Sequence, residues 1–253
     1  MTDADLALQQ ARQQLLQVEK LAVLGHLAPG LVHELNTPLG VIISNLSVLA
    51  GYGESLAQLR GGQPSADLDY ILEDLPALTT ESIASANRIA EIVQSIGLFA
   101  QPDAQRLAPV DVEVALEAAI TLTWHELKQR ATVNRDFAGV PPVTGSASEL
   151  AQVFVHVLRN AAQAVPERDG LVSVSTAYAD GRVTIRIADN GSGLPDETSV
   201  RAFEPFFTTR PDALGLGLSI AHEIVTRHQG TLDLGRGPNG GTAVTIYLPV
   251  AVA

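Results

Sequence analysis

The first residues in this chain that could do chemistry are a histidine and the glutamate that follows it, His33-Glu34, with Thr37 one helical turn further on. A carboxylate that accepts from one imidazole nitrogen fixes the tautomer and leaves the other nitrogen as a nucleophile. Residues four apart share a helix face, so Thr37 sets a hydroxyl beside the same histidine. His26 lies seven residues earlier and points the same way, but nothing comparable flanks it, and it reads as a solvated helix histidine. A second group lies far downstream. ADNGSGLP (188–195) puts Asp189, Gly191 and Gly193 at the end of an apolar strand, where an acid can accept from an exocyclic amine and glycines admit a ligand close to the backbone. FEPFFTTR (203–210) supplies aromatic rings, the hydroxyls of Thr208 and Thr209 and the cation Arg210. LGLGLSIAHEIV (214–225) places Gly215, Leu216 and Gly217 at a helix start, where free amides and the helix dipole favour phosphate. Taken singly, each glycine cluster reads as a turn. Their order along the chain carries the weight.

The elements that must position these groups follow from the apolar spacing. Val18, Leu21, Gly25, Ala28, Val32, Leu35, Leu39, Ile42, Leu46 and Leu49 recur at alternating three- and four-residue steps. This is a heptad seam, and both histidines fall just outside it. At roughly 1.5–3 kcal/mol per buried aliphatic side chain, such a seam requires a partner helix. The breakers RGGQPS (60–65) end the first helix, and Leu68, Leu72, Leu75, Ala86, Ile89, Val93 and Ile96 line one face of a second, which fades near Gln101-Pro102-Asp103. Pro38 and Pro76 are expected to kink these helices. Two long helices joined by a turn make a hairpin with more apolar face than one partner covers, so a homodimeric four-helix bundle completes it.

From about residue 106 the pattern changes. Helices are expected over 110–128, 149–165 and 216–228, and strands over 131–137, 171–178 and 182–189, with a closing hairpin in GTLDLGRG and GTAVTIYLP. The expected fold is α+β: a dimeric helical hairpin followed by an α/β sandwich. Expected boundaries are a coiled-coil signalling helix at 1–25, the hairpin at 26–104 and the sandwich at 105–253.

Composition narrows the function classes. Acids outnumber bases 28 to 16, for a formal charge of −12, which argues against nucleic-acid or anionic-membrane partners. The absence of cysteine removes disulfides, zinc-thiolate sites and Cys nucleophiles. The N-terminus lacks the apolar core of a signal peptide, and no run reaches the ~18 apolar residues a membrane span requires, so a cytoplasmic chain without membrane contact is expected.

The ordered motifs resemble those of the bacterial sensor histidine kinases over about residues 14–249. HELNTPL resembles the H box, with His33 in the phosphoacceptor place. ELAQVFVHVLRNAAQAV (149–165) resembles the N box, with Asn160 in the place of the magnesium-binding asparagine. DNGSG, FEPFFTT, LGLGLS and GGTAVTIYLP resemble the first glycine-rich box, the F box, the second glycine-rich box and the closing box. The resemblance implies a Bergerat-type ATP-binding sandwich behind a dimeric bundle. It implies that ATP with Mg²⁺ meets Asn160, Asp189, Gly191, Gly193, Thr208, Thr209, Arg210, Gly215, Leu216, Gly217 and Thr242, with Asp189 on adenine and Asn160 on the metal. It further implies that His33 takes the γ-phosphoryl group with Glu34 orienting its ring, and that the group passes to an aspartate of a response regulator receiver domain. Thr37 matches the place from which a water dephosphorylates that receiver. The chain starts in coiled coil, and an upstream sensor module is expected.

Two departures bear on activity. The N box usually carries asparagines four residues apart, and here His156 holds the first place, with Gln163 where a basic residue is common. Ala213 replaces a glycine of the second glycine-rich box. If that place needed positive φ, alanine would cost on the order of 1 kcal/mol, and a weakened metal support ~10–100-fold in affinity. The alternatives are a phosphatase-dominant protein, a non-catalytic ATP-binding dimeric scaffold, and an ATPase of the gyrase or chaperone kind, which would have no use for the His-Glu helix.

Overall fold

The computed structural model describes residues 3–59, 67–100, 107–194, 199, 201–209 and 215–251. The breaker cluster at 60–65, Gln101-Pro102-Asp103, Arg210 and Ala213 lie outside them. Two compact units emerge: residues 28–94 form one, and residues 1–27 with 95–253 form the other.

The first helix, α1 (Asp3–Leu59), and the second, α2 (Asp67–Ala100), are α-helical without a break, through Pro29 and Pro38 in α1 and Pro76 in α2. Within 28–94 the inward stripe of α1 is Leu31, Pro38 and Asn45, met by Ile71 and Ile92 of α2. The buried Asn45 amide donates to Glu81 Oε2 (2.9 Å), Ser82 Oγ (3.2 Å) and the Leu78 carbonyl (3.3 Å). A buried polar side chain satisfied only in one alignment fixes the register of the two helices. Tyr52 donates to Asp74 Oδ2 at 2.6 Å and meets the Tyr70 ring edge-on, and the Asp74 carboxylate holds the Tyr52 phenol well above its ordinary pKa. The expected seam lies elsewhere: Val32, Leu39 and Leu46 are 45–56% exposed in the single chain, beside Ile43 at 57%.

Within α1, the stretch Gln17–Leu56 is long and apolar enough to cross a membrane by length and composition, with a mean hydropathy of 1.2 over its best window. This departs from the expectation that no run in the chain meets the requirement of a membrane span. Small and neutral polar residues between the aliphatic ones keep its charge density low without forming an uninterrupted apolar run.

The other unit is built on a five-stranded mixed sheet in the order β2-β4-β5-β7-β6, formed by β2 (Ala131–Asp136), β4 (Gly170–Ala179), β5 (Arg182–Asp189), β6 (Thr231–Arg236) and β7 (Thr242–Pro249). β2 pairs with β4 in parallel, and all other pairings are antiparallel. Alternation along the strands turns Val172, Val174, Val183, Ile185, Ile187, Ile246 and Leu248 inward. Over that face pack α3 (Val112–Lys128), α4 (Ala147–Ala164) and α5 (Gly217–Arg227). A short antiparallel pair, β1 (Ala108–Val110) with β3 (Val143–Gly145), closes one end. Asp111 caps α3, accepting from the amides of Glu113 and Val114, and Ser146 caps α4, accepting from Glu149 N at 3.4 Å. The α+β expectation holds: a helical region precedes an α/β sandwich.

Candidate nucleotide and phosphoacceptor site

Asp189 is the last residue of β5 and is 5% exposed. Its Oδ1 accepts from Gly191 N at 2.8 Å and Thr242 N at 3.2 Å, so the first glycine-rich box and the start of β7 close around one carboxylate. Burial pushes this carboxyl above the usual carboxylate range, and the two amide bonds oppose the shift. Such a group is poised to accept from a ligand amine that returns the lost hydrogen bonding. The neighbouring Asn190 has a structural role: it accepts from Leu171 N (2.8 Å) and donates to the Asp169 carbonyl (2.8 Å), stapling the strand ends.

The glycine loop rests on the C-terminal end of α4. A Cβ on Gly191 would stand 2.3 Å from the Ala164 carbonyl oxygen, and Ser192 N donates to that oxygen at 3.2 Å. Only a residue without a side chain fits there. Beside the loop is a cavity of about 330 Å³, lined by Ser192, Gly193, Gly240, Gly241 and the β6 residues Leu234 to Arg236.

The F box packs on the second glycine-rich box. Phe206 N donates to the Gly215 carbonyl at 2.9 Å, and Gly215 adopts φ +69° with the Phe206 and Phe207 backbone where a Cβ would stand. Phe206 itself is held at φ +66°, strained for an aromatic residue, and is largely exposed. Gly217 opens α5. Leu216 is its cap residue and makes no side-chain capping bond, so among the described residues no side chain caps the first-turn amides, the groups of a helix start that favour an anion. Thr208 and Thr209 lie exposed after the F-box phenylalanines.

Asn160 lies half-buried on α4, one turn after His156. The donor set suits a nucleotide with a divalent cation: a carboxylate for the base, open helix amides for phosphates, an amide oxygen for a hard cation. The fold thus brings Asn160, Asp189, Gly191, Gly193, Gly215, Leu216, Gly217 and Thr242 into one unit. His33, Glu34 and Thr37 belong to the helical unit. There His33 is exposed on α1, and Thr37 Oγ1 donates to the His33 carbonyl at 3.0 Å. His26 Nδ1 turns back onto the Ala22 carbonyl at 2.8 Å.

Several residues of the site region escape a reading by motif. Glu19 of α1 reaches Gln152 and His156 of α4, Glu126 of α3 holds Arg159 at 3.3 Å, and buried Glu149 holds Arg227 at 3.1 Å. His228 is enclosed, accepting from Ser146 N at Nε2 (2.9 Å) with Nδ1 on the Ile224 carbonyl (2.8 Å). Its burial lowers its pKa below the ordinary histidine value. The Glu19 contacts span 133 and 137 positions, and no local spacing announces them.

Comparison with known proteins finds similarity in the sandwich and along nearly the whole chain. Residues 145–252 match the family described as histidine kinase-, DNA gyrase B-, and HSP90-like ATPases. Sensor histidine kinase ZraS of Klebsiella oxytoca is 30% identical over 250 residues, covering 96% of this chain and 50% of that protein. The C4-dicarboxylate transport sensor protein DctB of Rhizobium meliloti (strain 1021) is 30% identical over 241 residues, covering 93% of this chain and 36% of its own length. The chain therefore spans about half or less of the curated relatives it matches. Among solved structures, the mycobacterial sensor histidine kinase MprB superposes with a TM-score of 0.51 at 29% identity, covering 56% of this chain and 97% of that one. Full-length ShkA in complex with AMPPNP covers 90% of this chain and 47% of its own at a TM-score of 0.51 and 24% identity, a likeness of fold. With its glycine-rich boxes gathered in one unit and its His-Glu helix ahead of them, the chain is similar over nearly its whole length to bacterial sensor histidine kinases.

Proposed function

We propose that this chain is the kinase core of a two-component sensor, which phosphorylates His33 from ATP and passes the group to an aspartate of a response regulator. The observation that carries this reading is the closure of Gly191 and Thr242 amides on the buried Asp189 carboxylate, in the same chain as the His33-Glu34 helix. Asp189 takes the adenine amine, and the phosphates lie toward the open amides of α5, with Gly193, Thr208, Thr209 and Arg210 around them. Asn160 would hold Mg²⁺, which supplies charge neutralisation on the transferring phosphate. Glu34 accepts from one His33 nitrogen, so the other attacks the γ-phosphorus in line. The N–P bond forms, the bond to the β-phosphate oxygen breaks, ADP leaves, and the ring proton goes to the carboxylate or solvent. Positioning and charge neutralisation supply most of the catalysis.

The division into a signalling helix (1–25), a phosphotransfer hairpin (26–104) and a catalytic domain (105–253) serves this scheme. The exposed seam of Val32, Leu39 and Leu46 supports a homodimer, since its aliphatic faces lack cover in one copy. The same need for a partner helix accounts for the apolar stretch 17–56 without a bilayer, with the catalytic part on the cytoplasmic side. Phosphatase activity toward the receiver would use Thr37, whose hydroxyl must first leave the His33 carbonyl.

Incubation with γ-labelled ATP tests the reading. The intact chain takes up label, His33→Gln takes up none while still binding ATP, and His26→Gln labels almost normally. Persistent labelling of His33→Gln refutes the phosphoacceptor assignment.

A further inference from the structure

His156 departs from the asparagine usual at its place, and its surroundings give the departure a purpose. Its side chain is 6% exposed on α4, and Nε2 lies 3.1 Å from the Glu19 carboxylate, itself 11% exposed. Gln152, 1% exposed, donates to the same carboxylate at 2.8 Å. The next residue, Lys20, is buried and donates to Ser148 Oγ at 2.5 Å, so the segment of α1 bearing Glu19 is fastened to α4 at two successive residues. A carboxylate on Nε2 keeps the proton on that nitrogen and leaves Nδ1 with its lone pair. Among the described residues Nδ1 has no hydrogen-bond partner. It lies 3.1 Å from where a Gly217 Cβ would stand, at the uncapped start of α5, and Asn160 is one turn along the same face of α4.

We propose that Glu19 is a positioning residue for the nucleotide site: it holds His156 so that Nδ1 joins Asn160 in binding the divalent cation that accompanies the nucleotide. The proposal rests on the nucleotide site described above. A carboxylate on the far nitrogen of a ligating histidine orients the ring and raises its basicity, and loss of such a partner typically weakens metal binding ~10–100-fold. An imidazole ligand also changes which cation the site prefers. Mg²⁺ favours oxygen donors, whereas Mn²⁺ sits higher in the affinity order for sites containing nitrogen. Glu19 lies on the helix that continues to His33, so displacing that helix segment from α4 would change cation-dependent nucleotide affinity.

The test is ATP affinity of the full chain by calorimetry in Mg²⁺, in Mn²⁺ and in chelator, for wild type, Glu19→Gln, His156→Asn and the double variant. The expected result is tighter binding in Mn²⁺ than in Mg²⁺ for wild type. Glu19→Gln should lose about tenfold of the Mn²⁺ affinity and less than twofold in chelator. His156→Asn should abolish the Mn²⁺ advantage, and Glu19→Gln should have no further effect in that background. A Glu19→Gln variant that melts earlier but keeps its Mn²⁺ affinity, or loses as much in chelator, overturns the proposal. Wild type that binds no ATP in any condition overturns the nucleotide site and this proposal with it. Pulsed electron resonance of the wild-type Mn²⁺·ATP complex is independent of variant folding: a directly bonded histidine nitrogen coupling supports the proposal, and its absence overturns it.

Discussion

Replacing Asp189 by asparagine separates the two tasks of its carboxylate. Oδ1 accepts from Gly191 N and Thr242 N at 2.8 and 3.2 Å, and an amide oxygen of the same shape can keep both bonds. The other oxygen becomes an NH₂ donor, which faces the donor of the adenine amine in the proposed complex. A hydrogen bond to a charged group contributes ~1.5–3 kcal/mol, and at ~1.4 kcal/mol per tenfold its loss weakens ATP binding roughly 10- to 150-fold. The fold should be spared. Burial already disfavours the ionised carboxyl, so a neutral amide escapes that desolvation and offsets the weaker acceptor strength of its oxygen. The assay pairs calorimetric titration with ATP and thermal melting of the ligand-free chain. The expected outcome is a large affinity loss with a melting temperature within a few degrees of wild type. If Asp189→Asn binds ATP within twofold of wild type, the carboxylate does not read the base.

Two further outcomes follow from the same coordinates. Leu46→Glu puts a charge into the exposed seam and is expected to convert a dimer to monomer in sedimentation, with far-ultraviolet helicity largely kept; an unchanged dimer mass would place the interface elsewhere. His228 is neutral and enclosed, so the unfolded chain takes up a proton near pH 6.5 where the folded chain resists it. Its contribution to stability is full above that pH and is lost as the pH falls below it. Melting of wild type minus His228→Gln should therefore decline between pH 7.5 and 5.5, and a flat difference would show that burial does not suppress its protonation.

Much of the architecture was legible because it is local. β5 occurs at 182–189 as alternation predicts, α3 ends at Lys128 as expected, and α5 is one residue shorter at each end than the 216–228 reading. The pairs that escaped are those whose partners are remote. The parallel pairing of β2 with β4 joins strands separated by the whole of α4, and β1 with β3 are too short to show a period. The hairpin shows the same limit from another side. The heptad spacing marks Val32, Leu39 and Leu46, yet the face that packs within the chain is Leu31, Pro38 and Asn45, because α1 carries more than one apolar stripe and one period cannot say which of them packs within the chain.

Spacing and residue type placed a His-Glu pair on a helix ahead of an ordered set of glycine-rich motifs, and the family resemblance read those motifs as nucleotide boxes. Each box is a run of a few residues whose chemistry is set by its neighbours in sequence: glycines for close approach, an acid for an amine, a histidine beside its carboxylate. The tertiary structure alone decided what surrounds His156. In sequence it is an asparagine missing from its place, a defect expected to slow the site. In the fold its Nε2 meets a carboxylate 137 positions away and its other nitrogen faces the start of α5. Hydrogen bonds between buried groups are formed by whatever the packing brings within about 3 Å, and that distance bears no relation to separation along the chain.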